Sequence, residues 1–415
     1  MTRERLAPRA IDDAPAAVAF ATLFTSEARA ALSALRRDLH QHPELAFAES
    51  RTAAVLEREL ATLSPVSIAR VAGTGVVARM RGRTPGAPVV AVRGDIDALP
   101  IQEATGLPFA SANAGVMHAC GHDVHAAWAV GAARLLAGQP AEGDVLVVLQ
   151  PAEETGKGAA ALLASGALDE VAAIFGGHVD RRFEVGQVVA QPGSLAAAAD
   201  VFEIELAGRG AHGARPHESA DPIVCAAAII SALQTIVARR VNPSTPAVVT
   251  LATMHAGQAP NVIPERAMLS GTLRAVDKDT RQLLGTSVRQ LAEGIAAAHG
   301  LVATVNLTLG PPPIVNPEVP VMWARAAVES LLGADALVPL GITNMAGEDF
   351  AYYMERMPGC FMRIGARLPG EPVIAAHTPQ FHAAEESLFV GAAVLAETAR
   401  VASAALARGD TAAST

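Results

Sequence analysis

The sequence predicts an α/β protein in which helices flank a mixed, largely parallel sheet, interrupted by a smaller α+β domain. Three observations carry this reading. Between residues 26 and 193, apolar runs of strand length alternate with segments of helical period. Acidic and imidazole-bearing residues collect just past those runs, in RGDID, QPAEE and GGHVD, where open parallel sheets gather their reactive groups. From about residue 194 the rhythm becomes β-α-β-β-α-β, the order of a ferredoxin-like unit, and after PPPIVNP near 311–317 the first alternation resumes. The expected organisation is a discontinuous domain, 1–193 and 311–415, with an inserted domain at 194–310.

Residues 26–63 show apolar positions three to four apart and read as helical. TGVVARM and PVVAVRGDID, bounded by glycine or proline, read as strands. MHACGHDVHAAWAVGAARLLAG is a loop running into a helix, and GDVLVVLQPAEETGKGAAALLASG is a buried strand, a loop and a helix. In the inserted part, DVFEIELAGRG, PAVVTLATMHAG, ERAMLSGTLRAV and LVATVNLTLG read as strands. DPIVCAAAIISALQTIVARR and DTRQLLGTSVRQLAEGIAAAHG supply the helices. The final ARGDTAAST reads as a frayed polar tail.

Composition narrows the function classes. A net charge of −9, no basic run, two tryptophans and two tyrosines argue against nucleic-acid binding, which needs phosphate-neutralising and base-stacking surfaces. No uninterrupted apolar run reaches the length of a membrane span, so no membrane partner is expected. Asp12 and Asp13 precede the modest apolar run near the N-terminus, against a secretory leader. Three widely spaced cysteines, Cys120, Cys225 and Cys360, suit a reducing compartment, and the expected location is cytoplasmic.

The chemistry-bearing residues suggest a metal centre. Cys120 and His122, one residue apart on a glycine-containing loop, can turn a thiolate and an imidazole toward one point, a donor pair suited to zinc or a similar divalent ion. Glu153 and Glu154 follow an apolar strand; one could bind metal while its neighbour, facing the other way, takes a proton from water. His178 is expected to cap another apolar strand, and His377 falls in the segment that rejoins the first domain.

These residues lie in ordered blocks: LHQHPELAFAE at 39–49, RGDIDALPIQE, MHACGHDVHAA, QPAEETGKGA, GGHVD, GAHGARPHESADPI, APNVIPE, GTLR, AGEDFAYY and HTPQF. Together they resemble the M20 metallopeptidase-like amidohydrolases, in the branch of hippurate hydrolases, N-acyl-amino-acid amidohydrolases and auxin-conjugate hydrolases. The resemblance implies a zinc-peptidase-like catalytic domain and a ferredoxin-like dimerisation or lid domain. It implies two divalent ions, zinc, manganese, cobalt or nickel, bridged by Cys120 and completed by His122, Glu154, His178 and His377. Asp97 would orient a ligand histidine. Glu153 would be the general base, and His212, reaching a neighbouring subunit's site, would stabilise the oxyanion. Asn261 and Arg274 would contact the substrate's carbonyl and carboxylate. The implied substrate is a small N-acyl amino acid and the implied assembly a homodimer through 194–310. His118 and His125 are expected to pack or to support the ligands, and Glu348 and Asp349 to lie near the ions without an assigned role.

Three other readings keep part of this pattern: a dipeptidase with the same site, a metal-binding scaffold without turnover, and a cysteine nucleophile with His122 as its base.

Overall fold

The computed structural model describes residues 22–410. The N-terminal run weighed above as a leader and the last five residues of the polar tail lie outside them. The described chain divides into two compact units. One takes the residues up to Gly193, Asn316–Gly341 and those from Tyr352 onward; the other takes Ser194–Val315 and Ile342–Ala351.

The larger unit opens with two helices, Ser26–Gln41 and Ser50–Ala61, on the two periodic segments SEARAALSALRRDLH and RTAAVLERELATL of the helical region 26–63. Pro43 and the turns after it separate them, since proline removes a donor and disfavours helix in the residue before it. Its sheet comprises β1 (Ser67–Val71), β2 (Gly75–Met80), β3 (Val89–Asp95), β4 (Val145–Gln150), β5 (Val171–Glu184), β6 (Val188–Val189) and the chain's last strand, β15 (Gly359–Arg367), in the order β1-β2-β4-β3-β5-β15-β6. The pairs β4-β3, β3-β5 and β5-β15 are parallel, while the outer pairs are antiparallel. Strands buried on both faces are mostly apolar; β4 is apolar up to Gln150, and β3, buried along its whole length, carries its two charges, Arg93 and Asp95, as a pair.

Two long helices cover this sheet. His122–Gly138 is buried along nearly its entire length, which its alanines and glycines allow. A Cβ at Gly131 would stand 2.7 Å from Ala392, and one at Gly391 2.0 Å from the Trp128 ring, so the partner helix Glu386–Ala407 packs at backbone distance. That 22-residue helix is long and apolar enough to cross a membrane, but 78% of its most apolar window is buried inside the unit, as befits a core helix.

In the smaller unit, β8 (Ala198–Ala207), β10 (Ala247–Ala256), β12 (Arg266–Ala275) and β13 (Val302–Thr308) form an antiparallel sheet in the order β10-β12-β8-β13. With the helices Pro222–Leu233 and Lys278–Ala298 between them, this is the ferredoxin-like arrangement. β8 alternates buried Phe202, Ile204 and Leu206 with more exposed neighbours, and the buried set packs on Cys225, Ile229, Leu284 and Val288 of the helices. Short strands complete the unit: β7 (Gly193–Ala196) pairs with β14 (Ile314–Asn316), and β9 (Ala211–His212) with β11 (Val262–Ile263). Residues 342–351 join this unit, whereas the sequence reading groups all of 311–415 with the larger one. Ala346 O accepts the Ala197 N–H at 3.2 Å, and Asn344 bridges to Ala196.

Candidate metal centre

The C-terminal ends of β3 and β4 and the middle of β5 supply the frame of the candidate site. β3 runs into Asp97, and β4 into a turn of 3₁₀-helix, Glu153–Thr155. His178 does not cap its strand as the sequence suggests. β5 continues to Glu184 because β15 keeps pairing with it, Arg363 opposite His178, after its pairing with β3 has ended at Gly176.

Cys120 and His122 flank Gly121, which caps the helix His122–Gly138 with φ of 92°. Only glycine adopts that backbone readily, and a Cβ there would meet Val179 Cγ2 at 2.4 Å. His122 Nδ1 lies 2.9 Å from the Asp97 carbonyl oxygen, which can only accept, so Nδ1 carries the proton and donates. His178 Nδ1 likewise donates to the Val179 carbonyl at 2.7 Å. Both rings therefore turn Nε2, with its lone pair, the other way. His178 Nε2 stands 3.2 Å from Cys120 Sγ. His122 Nε2 is buried and has no hydrogen-bond partner, and neither has Glu154 Oε1, 3.8 Å away. Buried polar atoms are seldom left so, and two facing each other at this spacing fit a shared cation.

Potential ligand atoms fall into groups lying within 4.8 Å of one another. Cys120, His122 and His178 form one, and Cys120, Glu154 and His377 form a second, so the same sulfur serves both. His377 reaches Glu154 Oε2 at 3.4 Å, held by its own N–H on the Ala119 carbonyl at 2.8 Å and by a left-handed backbone, φ 64°. Glu153 Oε2 also lies 3.9 Å from His122 Nε2. The tight turn thus brings both carboxylates within 4 Å of His122 Nε2, where the sequence reading has them face opposite ways. Asp97 Oδ1 is 3.2 Å from His122 Nδ1, while Oδ2 accepts the Glu154 N–H at 3.0 Å.

The electrostatics favour positive charge. Burial opposes a cationic His122, but the Asp95 charge and the hydrogen bond with Asp97 outweigh it and hold its pKa well above the usual histidine range. Burial pushes His178 well below that range, with the His125 and Arg363 charges adding to the effect, so its ring is the neutral base a cation requires. Burial and the Glu154 charge push the Cys120 thiol up, opposite to what a free cysteine nucleophile needs.

His125, expected to pack or to support the ligands, is held on three sides. His125 Nδ1 is 2.6 Å from Asp95 Oδ1, Nε2 accepts the Val179 N–H at 3.0 Å, and the ring stacks on Trp128, which steadies the strand carrying His178. Arg93 pairs with Asp95 from the same strand. His118 is buried with neither ring nitrogen bonded, and burial lowers its pKa to about 4.

In the smaller unit, His212 and Asn261 sit side by side. His212 pairs with Val262 across β9 and β11, and the Gly213 N–H donates to the Asn261 carbonyl at 2.8 Å. His212 Nδ1 accepts the Ala214 N–H at 3.0 Å, which places the ring proton on Nε2 of an exposed side chain. Arg274 is half-buried on β12, and a Cβ on Gly347 would stand 3.9 Å from its guanidinium. Glu348 and Asp349 are buried in the same unit, where Glu348 Oε1 accepts the Phe350 N–H at 3.0 Å.

Residues 91–401 match the model of peptidase family M20/M25/M40. N-acetylcysteine deacetylase of Bacillus subtilis (strain 168) is 41% identical over 369 residues, 88% of this chain and 95% of that protein. IAA-amino acid hydrolase ILR1-like 2 of Arabidopsis thaliana is 38% identical over 371 residues, 88% and 83% of the two chains. The solved structure of the Bacillus subtilis YXEP protein, described as a dinuclear metal binding peptidase from the M20 family, superposes with a TM-score of 0.80 at 38% identity, covering 90% of this chain and 98% of that one. The chain belongs to peptidase family M20/M25/M40 and is a metal-dependent hydrolase of amide bonds.

Proposed function

We propose that this chain binds two divalent ions and removes the acyl group from N-acyl amino acids. The observation that carries the reading is Cys120 Sγ standing in two ligand groups at once, with His122 and His178 on one side and Glu154 and His377 on the other. The two relatives named for deacetylation and for hydrolysis of an amino-acid conjugate support the substrate class. The ion pair, when bound, supplies Lewis acidity to the amide carbonyl and draws the pKa of a water from near 16 toward about 7. Zinc, manganese, cobalt and nickel all suit this donor set.

Glu153 is the general base. Its carboxylate is within 4 Å of His122 Nε2, close enough to take a proton from water at the centre and pass it to the departing amine. His212 offers Nε2–H as a donor to the oxyanion, its tautomer fixed by Ala214. Arg274 makes no ion pair among the described residues and offers a planar fork for the substrate carboxylate, while Asn261, beside His212, binds the carbonyl end.

The homodimer forms through the smaller unit, and His212 acts in the partner subunit's site. Support comes from β10, an edge strand with Val248 and Met254 exposed, and from the helix Pro222–Leu233, which exposes Ile223 and Val224. Three buried, unpaired cysteines support a cytoplasmic location.

The test is hydrolysis of N-acetyl, N-benzoyl, long-chain and indole-acyl amino acids, alongside dipeptides, by protein loaded with each ion. Release of free amino acid, abolished by chelation and restored by a divalent ion, is expected. Activity indifferent to exhaustive chelation, or cleavage of dipeptides alone, overturns the reading.

A further inference from the structure

We infer that Glu49 is a positioning residue for this centre: through the Ala152 N–H its carboxylate sets the turn that presents Glu153 and Glu154. Glu49 is fully buried, immediately before the helix Ser50–Ala61, and takes no part in the chemistry proposed above. One oxygen accepts the Ala152 N–H at 2.9 Å and the other accepts the Thr74 hydroxyl at 2.5 Å.

Ala152 is the strained point of the turn, at φ 55° and ψ 36°, a left-handed backbone that residues bearing a Cβ rarely adopt. Such a conformation persists only where its surroundings hold it. Here the Ala152 carbonyl accepts the Thr155 hydroxyl at 3.0 Å and the Gly158 N–H at 3.2 Å, and Glu49 holds the N–H side. Two residues on, Asp97 holds the Glu154 N–H at 3.0 Å. The turn therefore hangs between two buried carboxylates. Two donors, the Thr74 hydroxyl and the Ala152 amide, converge on Glu49, and a side chain with two acceptor oxygens satisfies both.

Substitution of Glu49 separates acceptor geometry from charge. Glu49→Gln keeps an oxygen at the Ala152 N–H and lets the Thr74 hydroxyl reverse its role. Glu49→Asp keeps the charge but withdraws it by one methylene. Affinity for zinc is measured by chelator competition, the ligand field by the absorption of cobalt-loaded protein, and kcat and KM per ion-loaded site on the best N-acyl amino acid. Glu49→Asp should lose about 10- to 100-fold in ion affinity and in kcat, as for other groups that orient metal ligands, with KM nearly unchanged and a shifted cobalt spectrum. Glu49→Gln should stay near the parent in all of these. Thr74→Val, which frees one carboxylate oxygen, should fall between them and decides the matter if Glu49→Asp does not fold.

Ion affinity unchanged in Glu49→Asp or Thr74→Val, or equal loss in Glu49→Gln and Glu49→Asp, overturns the inference. The rate measurement rests on the proposed function, whereas the ion affinity and cobalt spectrum do not. A parent that binds ions but cleaves no N-acyl amino acid would refute the proposed function and leave this inference to the affinity result.

Discussion

Asp97→Asn isolates what one buried carboxylate does for the metal centre. Asp97 serves two candidate ligands at once, Oδ1 facing His122 Nδ1 at 3.2 Å and Oδ2 accepting the Glu154 N–H at 3.0 Å. An asparagine has one acceptor oxygen, so its amide must turn a donor toward one of those two donors. The Asp97 backbone carbonyl, 2.9 Å from His122 Nδ1, still fixes that ring. The asparagine oxygen then stays with Glu154, and the cost appears as donor facing donor at His122. Loss of a hydrogen bond to a charged acceptor is worth about 1.5–3 kcal/mol. Converted at about 1.4 kcal/mol per decade, that is roughly 10- to 100-fold in ion affinity, the range usual for groups that orient metal ligands. Chelator competition with zinc at fixed pH reads it directly, and Asp97→Ala should lose more because Glu154 is released as well. Affinity within about twofold of the parent for both variants would show that the backbone carbonyl alone suffices and refute the reasoning.

Three further outcomes follow from the same structure. Glu153→Gln should lose about 10²- to 10⁴-fold in kcat with both ions retained; a lost ion by elemental analysis would make Glu153 a ligand instead. Gly121→Ala forces a Cβ into a left-handed backbone and against Val179, costing about 2–4 kcal/mol, and Val179→Ala should restore the steric part alone, read by urea unfolding. The third concerns His40. Burial opposes its charge, but Asp123 at 2.9 Å and Glu103 at 3.2 Å outweigh burial and the opposing Arg36, raising its pKa to about 9. A raised folded-state pKa stabilises fully below the ordinary 6.5 and fades as pH climbs through about 9, a loss of about 3 kcal/mol. Unfolding free energies at pH 6 and pH 9.5 should differ by that order in the parent and much less in His40→Gln.

How much of this was legible in the sequence follows from what each position demands. An ion demands particular donor atoms, so Cys120, His122, Glu154, His178 and His377 stand out by residue type in short blocks past apolar strands, and the structure gathers all five. The strand–helix rhythm likewise follows from periodicity. The antiparallel outer strands do not, because a short apolar run pairs equally well in either direction. His178 looked like a strand end because its partner β15 begins at Gly359, far along the chain. The support around the ligands is harder still. His125 finds Asp95 30 residues away, the Val179 N–H meets His125 across 54, and Glu49 meets Ala152 across 103. At those positions the fold needs only some acceptor or donor at a point in space, which several residue types could supply. Residue type is therefore weak evidence there, and tertiary geometry decides. Ala152 shows the limit most sharply: an alanine in a left-handed turn carries no local signal, since its conformation is imposed by Glu49, Thr155 and Gly158 rather than chosen by its own side chain.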